Sequence, residues 1–243
     1  MFRTQNHIGQ IAATLAVWLI LGVNPLGAVP GTEDGVAVAI VYDTSGSMKG
    51  LVEDHEGKKV PKYKIANRAL EAVAQRLQRF STNTAGGAPR PLEVGLVVFS
   101  GQDAREAIPF GPFDAKALSS WAKNFHQPER GTPLGRAVEA AGHAVLRSKL
   151  SRKHLLIITD GVNTVGEDPA MVIPRLRKEA EQQQTPLAFH FIAFDVDARV
   201  FDRVKKLGAT VAGATDGRQL ETQLGLILER QILLEDEEPP AKK

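Results

Sequence analysis

Three stretches of the chain are apolar along most of their length: Val36 to Tyr42 (VAVAIVY) without interruption, Leu92 to Phe99 (LEVGLVVF) but for Glu93, and His154 to Thr159 (HLLIIT) between its two polar ends. A strand with one wet face alternates apolar and polar residues, so runs that do not alternate must be covered on both faces. That requirement is met by a mostly parallel sheet held between two layers of helices, and the segments between the runs supply those helices. Ile65, Ala69, Val73, Leu77 and Phe80 recur on one face against Lys, Arg, Glu and Gln, the pattern of an amphipathic helix. Further helices are expected around Ala115 to Lys123, from Thr132-Pro133 through Leu134, Val138, Ala141 and Val145, after Asp168-Pro169, and through Leu220, Leu224, Ile227 and Leu228. Thr132 reads as the hydroxyl cap of its helix with proline at the first helical position. Pro174 implies that the regular part of the helix after Asp168 begins later. Leu187 to Phe194 and Thr210 to Ala212 add two strands, and Glu106 to Phe110 a short one that Pro109 confines to an edge. The expected class is α/β: a doubly wound, mostly parallel six-stranded sheet with one short antiparallel edge strand and right-handed crossovers.

With 243 residues, 43% of them hydrophobic, the chain can bury one sizeable core. Cysteine is absent, which excludes disulfides, thiolate zinc sites and a cysteine nucleophile. A formal net charge of +2, spread without a basic stripe, leaves no electrostatic footprint for nucleic acid. At the N-terminus, Arg3 and His7 precede an apolar run from Ile11 to Val23, a turn-forming Asn24-Pro25 pair and small residues at Gly27 and Ala28, with no acidic residue before Glu33. That is the layout of an export signal, and the run falls short of the roughly 20 apolar residues of a spanning helix. The expectation is a signal peptide over 1–28 cleaved near Ala28, a linker over 29–35, one domain over 36–232 and a disordered acidic tail over 233–243. The expected location is extracytoplasmic, periplasmic or secreted. Membrane attachment would require that the leader stay uncleaved.

The first strand runs directly into Asp43-Thr44-Ser45-Gly46-Ser47-Met48, the strand HLLIIT runs into Asp160-Gly161, and Thr132 opens the helix that feeds that strand. All three places fall at the carboxyl end of the sheet, where open α/β sheets bind ligands at the point at which strand order reverses. Two carboxylates and three hydroxyls converging there form an all-oxygen set suited to a hard divalent cation. In order and in residue type, Asp43-x-Ser45-x-Ser47, Thr132 and Asp160 match the metal-ion-dependent adhesion site of von Willebrand factor type A domains, which the chain resembles over residues 36 to 232.

That resemblance implies that Ser45 and Ser47 bind the metal directly, Thr132 does so when ligand is engaged, and Asp43 and Asp160 act largely through water. Neutral hydroxyls leave most of the cation's charge uncompensated, so a carboxylate from a protein partner can complete its coordination. The expected ion is Mg²⁺ or Mn²⁺, with Ca²⁺ also compatible with oxygen donors. Thr44, Gly46, Met48, Arg130 and Gly161 are expected to flank the ligand face. A polar insertion from Gly50 to Lys62 departs from the commoner pattern of the family and should lie on the same face. Lys49-Gly50 stands where some integrin domains carry acidic residues for an adjacent ion, so a second metal site is unsupported.

An enzyme reading is the main rival. Asp43 occupies the place of the aspartyl nucleophile of haloacid dehalogenase-like phosphatases, but those enzymes need a second aspartate two residues on, where this chain has Ser45. No GK[ST] phosphate loop, GxSxG elbow or HExxH helix is present. His143 and His190 read as surface or packed residues and His154 as the opening of a strand. The sequence reading is therefore a non-enzymatic binding module in adhesion, or in the assembly or maturation of an envelope complex or metalloenzyme.

Overall fold

The computed structural model describes residues 33–82 and 90–233. The expected leader, the first part of the linker and the acidic tail after 233 lie outside the described residues. Six strands form one sheet in the order β5-β4-β1-β6-β7-β8. They are β1 (Glu33–Asp43), β4 (Leu92–Ser100), β5 (Asp103–Pro112), β6 (Leu150–Thr159), β7 (Leu187–Phe194) and β8 (Thr210–Ala214). Every neighbouring pair is parallel except β4 with β5, so the class and the antiparallel edge are as expected. The central strand starts at Glu33, three residues earlier than its apolar run, because Glu33 and Val36 already pair with β6 across a register shift. The edge strand is also longer than the Glu106 to Phe110 stretch. Its ends pair with β4 regardless of polarity, and it carries two register irregularities of the kind that blunt an edge.

Alternation along the central strand divides the core into two layers. Val38, Ile40 and Tyr42 face α1 (Lys62–Thr82), α2 (Ala115–Asn124) and α6 (Gly217–Ile227), while Ala37, Ala39 and Val41 face α3 (Leu134–Leu146) and α4 (Pro169–Gln182). Both layers are buried and apolar, which is why the central runs do not alternate. A short helix α5 (Asp202–Lys206) joins the second layer through Val204.

Two helix starts differ from expectation. α4 begins at Pro169 itself, with Pro174 accommodated inside it, because the Asp168 carboxylate accepts from Ala170 N at 2.7 Å and Pro169 sits in the first turn. Thr132 is not the cap of α3. Pro133 holds that position in a non-helical conformation, and the Gly135 N–H is taken instead by Asn163 Oδ1 at 3.1 Å, from a different loop.

The Gly50 to Lys62 insertion is largely ordered as a hairpin, β2 (Leu51–Glu53) paired antiparallel with β3 (Lys59–Pro61). Asp54 closes its turn by accepting from the backbone of Glu56 and Lys58, and the chain enters α1 at Lys62.

His190 is packed as expected, and His154 packs against it, with ring centroids 5.4 Å apart. Burial holds both rings below the ordinary histidine range, His154 at about 3 and His190 at about 4. His143 is exposed beside Glu179. Among the described residues no helix is long and apolar enough to cross a membrane.

Candidate metal centre

The crevice at the carboxyl ends of β1 and β6 is built by three loops. The first follows β1, and its tight turn is a 3₁₀ segment, Gly46–Lys49. The second is the approach to α3, tied to the first by a bridge between Ser45 and Glu129 and by Glu129 N donating to Thr44 O at 2.8 Å. The third follows β6. It is tied to the second by a reciprocal pair, Thr132 N to Thr164 Oγ1 at 3.0 Å and Thr164 N to Thr132 O at 3.0 Å. Cross-bracing of this kind fixes side-chain positions that loops alone would leave loose.

Asp43 is fully buried and Asp160 is 5% exposed, at the floor of the crevice. Asp43 Oδ1 accepts from Ser45 N at 2.7 Å and Oδ2 from the Thr159 hydroxyl at 2.6 Å. Ser47 Oγ donates to Asp160 Oδ1 at 2.6 Å and lies 2.9 Å from Ser45 Oγ. Above them opens a cleft of about 350 Å³ lined by Ser45, Ser47, Thr132, Arg130 and Gly161 among others. All five residues of the sequence motif thus converge, through three elements far apart in the chain. Among the described residues the Thr132 hydroxyl makes no hydrogen bond, the consequence of Asn163 having taken over the capping of α3.

Of the flanking residues, Gly46, Arg130 and Gly161 line the cleft. Met48 does not: it is fully buried in the core beneath the loop. Placing it on the ligand face is corrected by the 3₁₀ turn, which points it inward. Thr44 is buried too, its hydroxyl donating to Phe99 O at 2.8 Å, and it lines a separate small depression against β5.

The electrostatics of the floor are uneven. Burial first, and the Asp160 charge second, push the Asp43 carboxyl up to about 6 despite its hydrogen bonds. No basic side chain forms an ion pair with it among the described residues. Asp160, by contrast, accepts from Lys62 Nζ at 2.9 Å, and the same ammonium reaches Asp195 at 2.9 Å. Burial opposes the charge on Lys62, but the two carboxylates outweigh it and hold its pKa above the ordinary lysine value. Sequence reading missed Lys62, Asn163, Thr159 and Asp195. Thr159 was adjacent to the motif and legible in principle, whereas Lys62 and Asn163 carried no signal in one dimension.

A buried carboxylate with no counter-charge, beneath hydroxyl oxygens that open to solvent, is a donor arrangement that a hard cation fits. Among the described residues no three His, Cys, Asp or Glu side chains form a metal-binding group, so any cation here would depend on the hydroxyls.

Residues 37–184 match the von Willebrand factor type A domain family. The chain belongs to that family. No curated protein matches it, but solved structures share its fold. The von Willebrand factor domain of the type V pili tip protein Mfa5 from Porphyromonas gingivalis superposes with a TM-score of 0.61 at 14% identity, covering 81% of this chain and 95% of that one. The PilB minor pilin from Streptococcus sanguinis gives 0.60 at 14% identity, over 82% of this chain and 62% of its own. Proximal thread matrix protein 1 from the mussel byssus, solved with zinc in its adhesion-site motif, gives 0.59 at 16% identity, over 82% and 48%. The chain therefore spans less than two thirds of the pilin and about half of the byssus protein. At these identities the type A fold is what is shared.

Proposed function

We propose that this type A domain is an exported, non-enzymatic binding module that holds a carboxylate of a protein partner through a divalent cation, Mg²⁺ or Mn²⁺, in adhesion or assembly. Ser45, Ser47 and Thr132 would hold the ion directly, with Asp43 and Asp160 behind them, largely through water. The observation that carries this reading is the uncompensated, fully buried Asp43 beneath the cleft that Ser45, Ser47 and Thr132 line together. A cation there would supply charge that polarises and orients an incoming carboxylate. The chain's own contribution is to brace three loops, to leave the Thr132 hydroxyl available, and to keep hydroxyls between the ion and its carboxylates. The pilus and byssus neighbours support a role at surfaces. The phosphatase alternative lacks support: Ser45, in the place of the required second aspartate, is bound to Ser47 and offers no proton-donating carboxyl.

Capture of partner from an envelope fraction should be lost in chelator and restored by Mg²⁺. Thr132→Ala should weaken it by roughly tenfold or more, since the lost oxygen belongs to the ligand-engaged state. Capture that persists unchanged in excess chelator would count against the reading, as would metal-dependent phosphate-ester turnover that disappears in Asp43→Asn. Export is tested by intact mass of protein from the native envelope: a mass beginning near Val29 is expected, and one retaining residues 1–27 in the membrane fraction would replace cleavage with anchoring.

A further inference from the structure

Among the described residues Lys62 is the buried cation at the crevice, and the hairpin has an evident part in putting it there. The insertion closes on itself where Gly50 N donates to Ser47 O at 2.8 Å and Lys62 N donates to Gly50 O at 2.8 Å. The base of the hairpin is thereby fastened to the loop that carries Ser45 and Ser47. A Cβ on Gly50 would crowd the Lys62 Cε, so the stem of the lysine passes directly over this glycine. From there its ammonium, with only 11% of the side chain exposed, meets Asp160 Oδ2 and Asp195 Oδ2 at 2.9 Å each. The other oxygen of Asp160 is the acceptor for Ser47. Asp195 is held in the left-handed region, φ 53°, by Asp195 N donating to Ala214 O at 2.7 Å. That conformation is strained for a non-glycine residue, and here it ends β7 with a carboxylate turned to Lys62.

We propose that Lys62 is a positioning residue and internal counter-cation of the metal site, delivered by the Gly50 to Lys62 hairpin, which spends the charge of Asp160 and so keeps the intrinsic affinity for a divalent cation low. This rests on the metal-site reading above. The physical case is one of charge count. Leaving aside the exposed Arg130 at the mouth of the cleft, Lys62 is the positive charge beside Asp43, Asp160 and Asp195; without it, the same site is one unit more negative and loses a cation that repels any divalent ion placed beside Asp160. Near a protein surface, a unit charge a few ångströms away changes binding by roughly tenfold or more. A site kept weak in this way leaves the bound ion with charge to spare, so that stable occupancy depends on the partner's carboxylate.

The test is calorimetric titration of Mg²⁺ alone into the full chain. Lys62→Met should tighten binding by roughly tenfold or more, and Lys62→Arg, which keeps the charge, should return it to within about threefold of the wild type. The melting temperature gained on adding Mg²⁺ should also be larger in Lys62→Met, because its metal-free form leaves Asp160 and Asp195 without their counter-charge in addition to Asp43. Should that variant fail to fold, Lys62→Gln removes the charge but keeps a hydrogen-bond donor for Asp160, and should still bind Mg²⁺ more tightly than wild type. Mg²⁺ affinity of Lys62→Met within about twofold of wild type, or equal tightening in Lys62→Arg, would overturn the proposal while leaving the metal site intact. Binding in Lys62→Met with none in wild type would uphold the role of Lys62 but overturn the metal-dependent function. Absence of binding in both would overturn the two together.

Discussion

Asp43→Asn is expected to abolish Mg²⁺ binding and at the same time to stabilise the metal-free protein at neutral pH by about 2–3 kcal/mol. Asp43 is fully buried, and its carboxyl is pushed from 3.8 up to about 6, first by burial and then by Asp160. A carboxyl whose folded pKa lies above its unfolded value contributes stability below the ordinary value, and that contribution is lost as pH rises through about 6. Near neutrality the ionised side chain is therefore a cost, at roughly 1.4 kcal/mol for each tenfold rise in the carboxylate's affinity for its proton. Asparagine removes the charge and keeps the hydrogen bonds. Its oxygen can accept from Ser45 N, and its amide can donate to Thr159 Oγ1, whose proton then goes to Gly161 O, a contact already present at 3.1 Å. Denaturation in chelator measures the change in stability, and calorimetry measures the loss of Mg²⁺ binding. A less stable Asp43→Asn protein would mean that the buried charge is compensated in a way the fold does not reveal, and unchanged Mg²⁺ binding would remove Asp43 from the site. In the wild type the raised carboxyl also predicts that Mg²⁺ binding weakens as pH falls through about 6, because the proton and the cation compete for one carboxylate.

Gly135→Ala is expected to destabilise the domain by about 3 kcal/mol or more, or to prevent folding. Gly135 lies in the first turn of α3, where an added Cβ would overlap the Glu167 backbone carbonyl, and its N–H is the one that Asn163 caps. A clash with backbone cannot be relieved by a rotamer change, so either α3 or the loop from 160 to 168 must move. Either movement separates Thr132 from Asp160, so surviving protein should also have lost Mg²⁺ binding. Gly161→Ala is the control. It lies on the same loop, next to Asp160, yet a Cβ there meets nothing within 4 Å, and a change within about 0.5 kcal/mol is expected. Urea denaturation of the pair decides the matter: a Gly135→Ala loss below about 1 kcal/mol would mean that the close approach of α3 to this loop is not a constraint.

Both substitutions act at places where local sequence and tertiary packing made different contributions. The sheet was legible because burial on both faces leaves a mark in the chain itself: runs such as Val36 to Tyr42 cannot alternate. The sequence also carried Asp43, Ser45 and Ser47, because a strand-end turn puts residues two apart on one rim, and it supplied the order in which Thr132 and Asp160 follow. Boundaries were less legible. Glu33 and the ends of β5 are strand because a neighbouring strand pairs with them, and pairing partners lie far away in sequence.

Only the tertiary structure decided the rest. Thr132 looked like a helix cap by every local rule, and it is Asn163, 31 residues on, that relieves it of that work. Met48 sits in the motif loop and yet is core, because the turn of Gly46–Lys49 sends it inward. Lys62 read as one more polar residue at the end of an insertion, and becomes the charge partner of Asp160 across 98 positions of chain. Residue types and short-range periodicity determine which groups a chain can offer and which elements it forms. How those groups are charged, capped and left free depends on contacts between segments distant in sequence, and those exist only once the sheet has brought the loops to one edge.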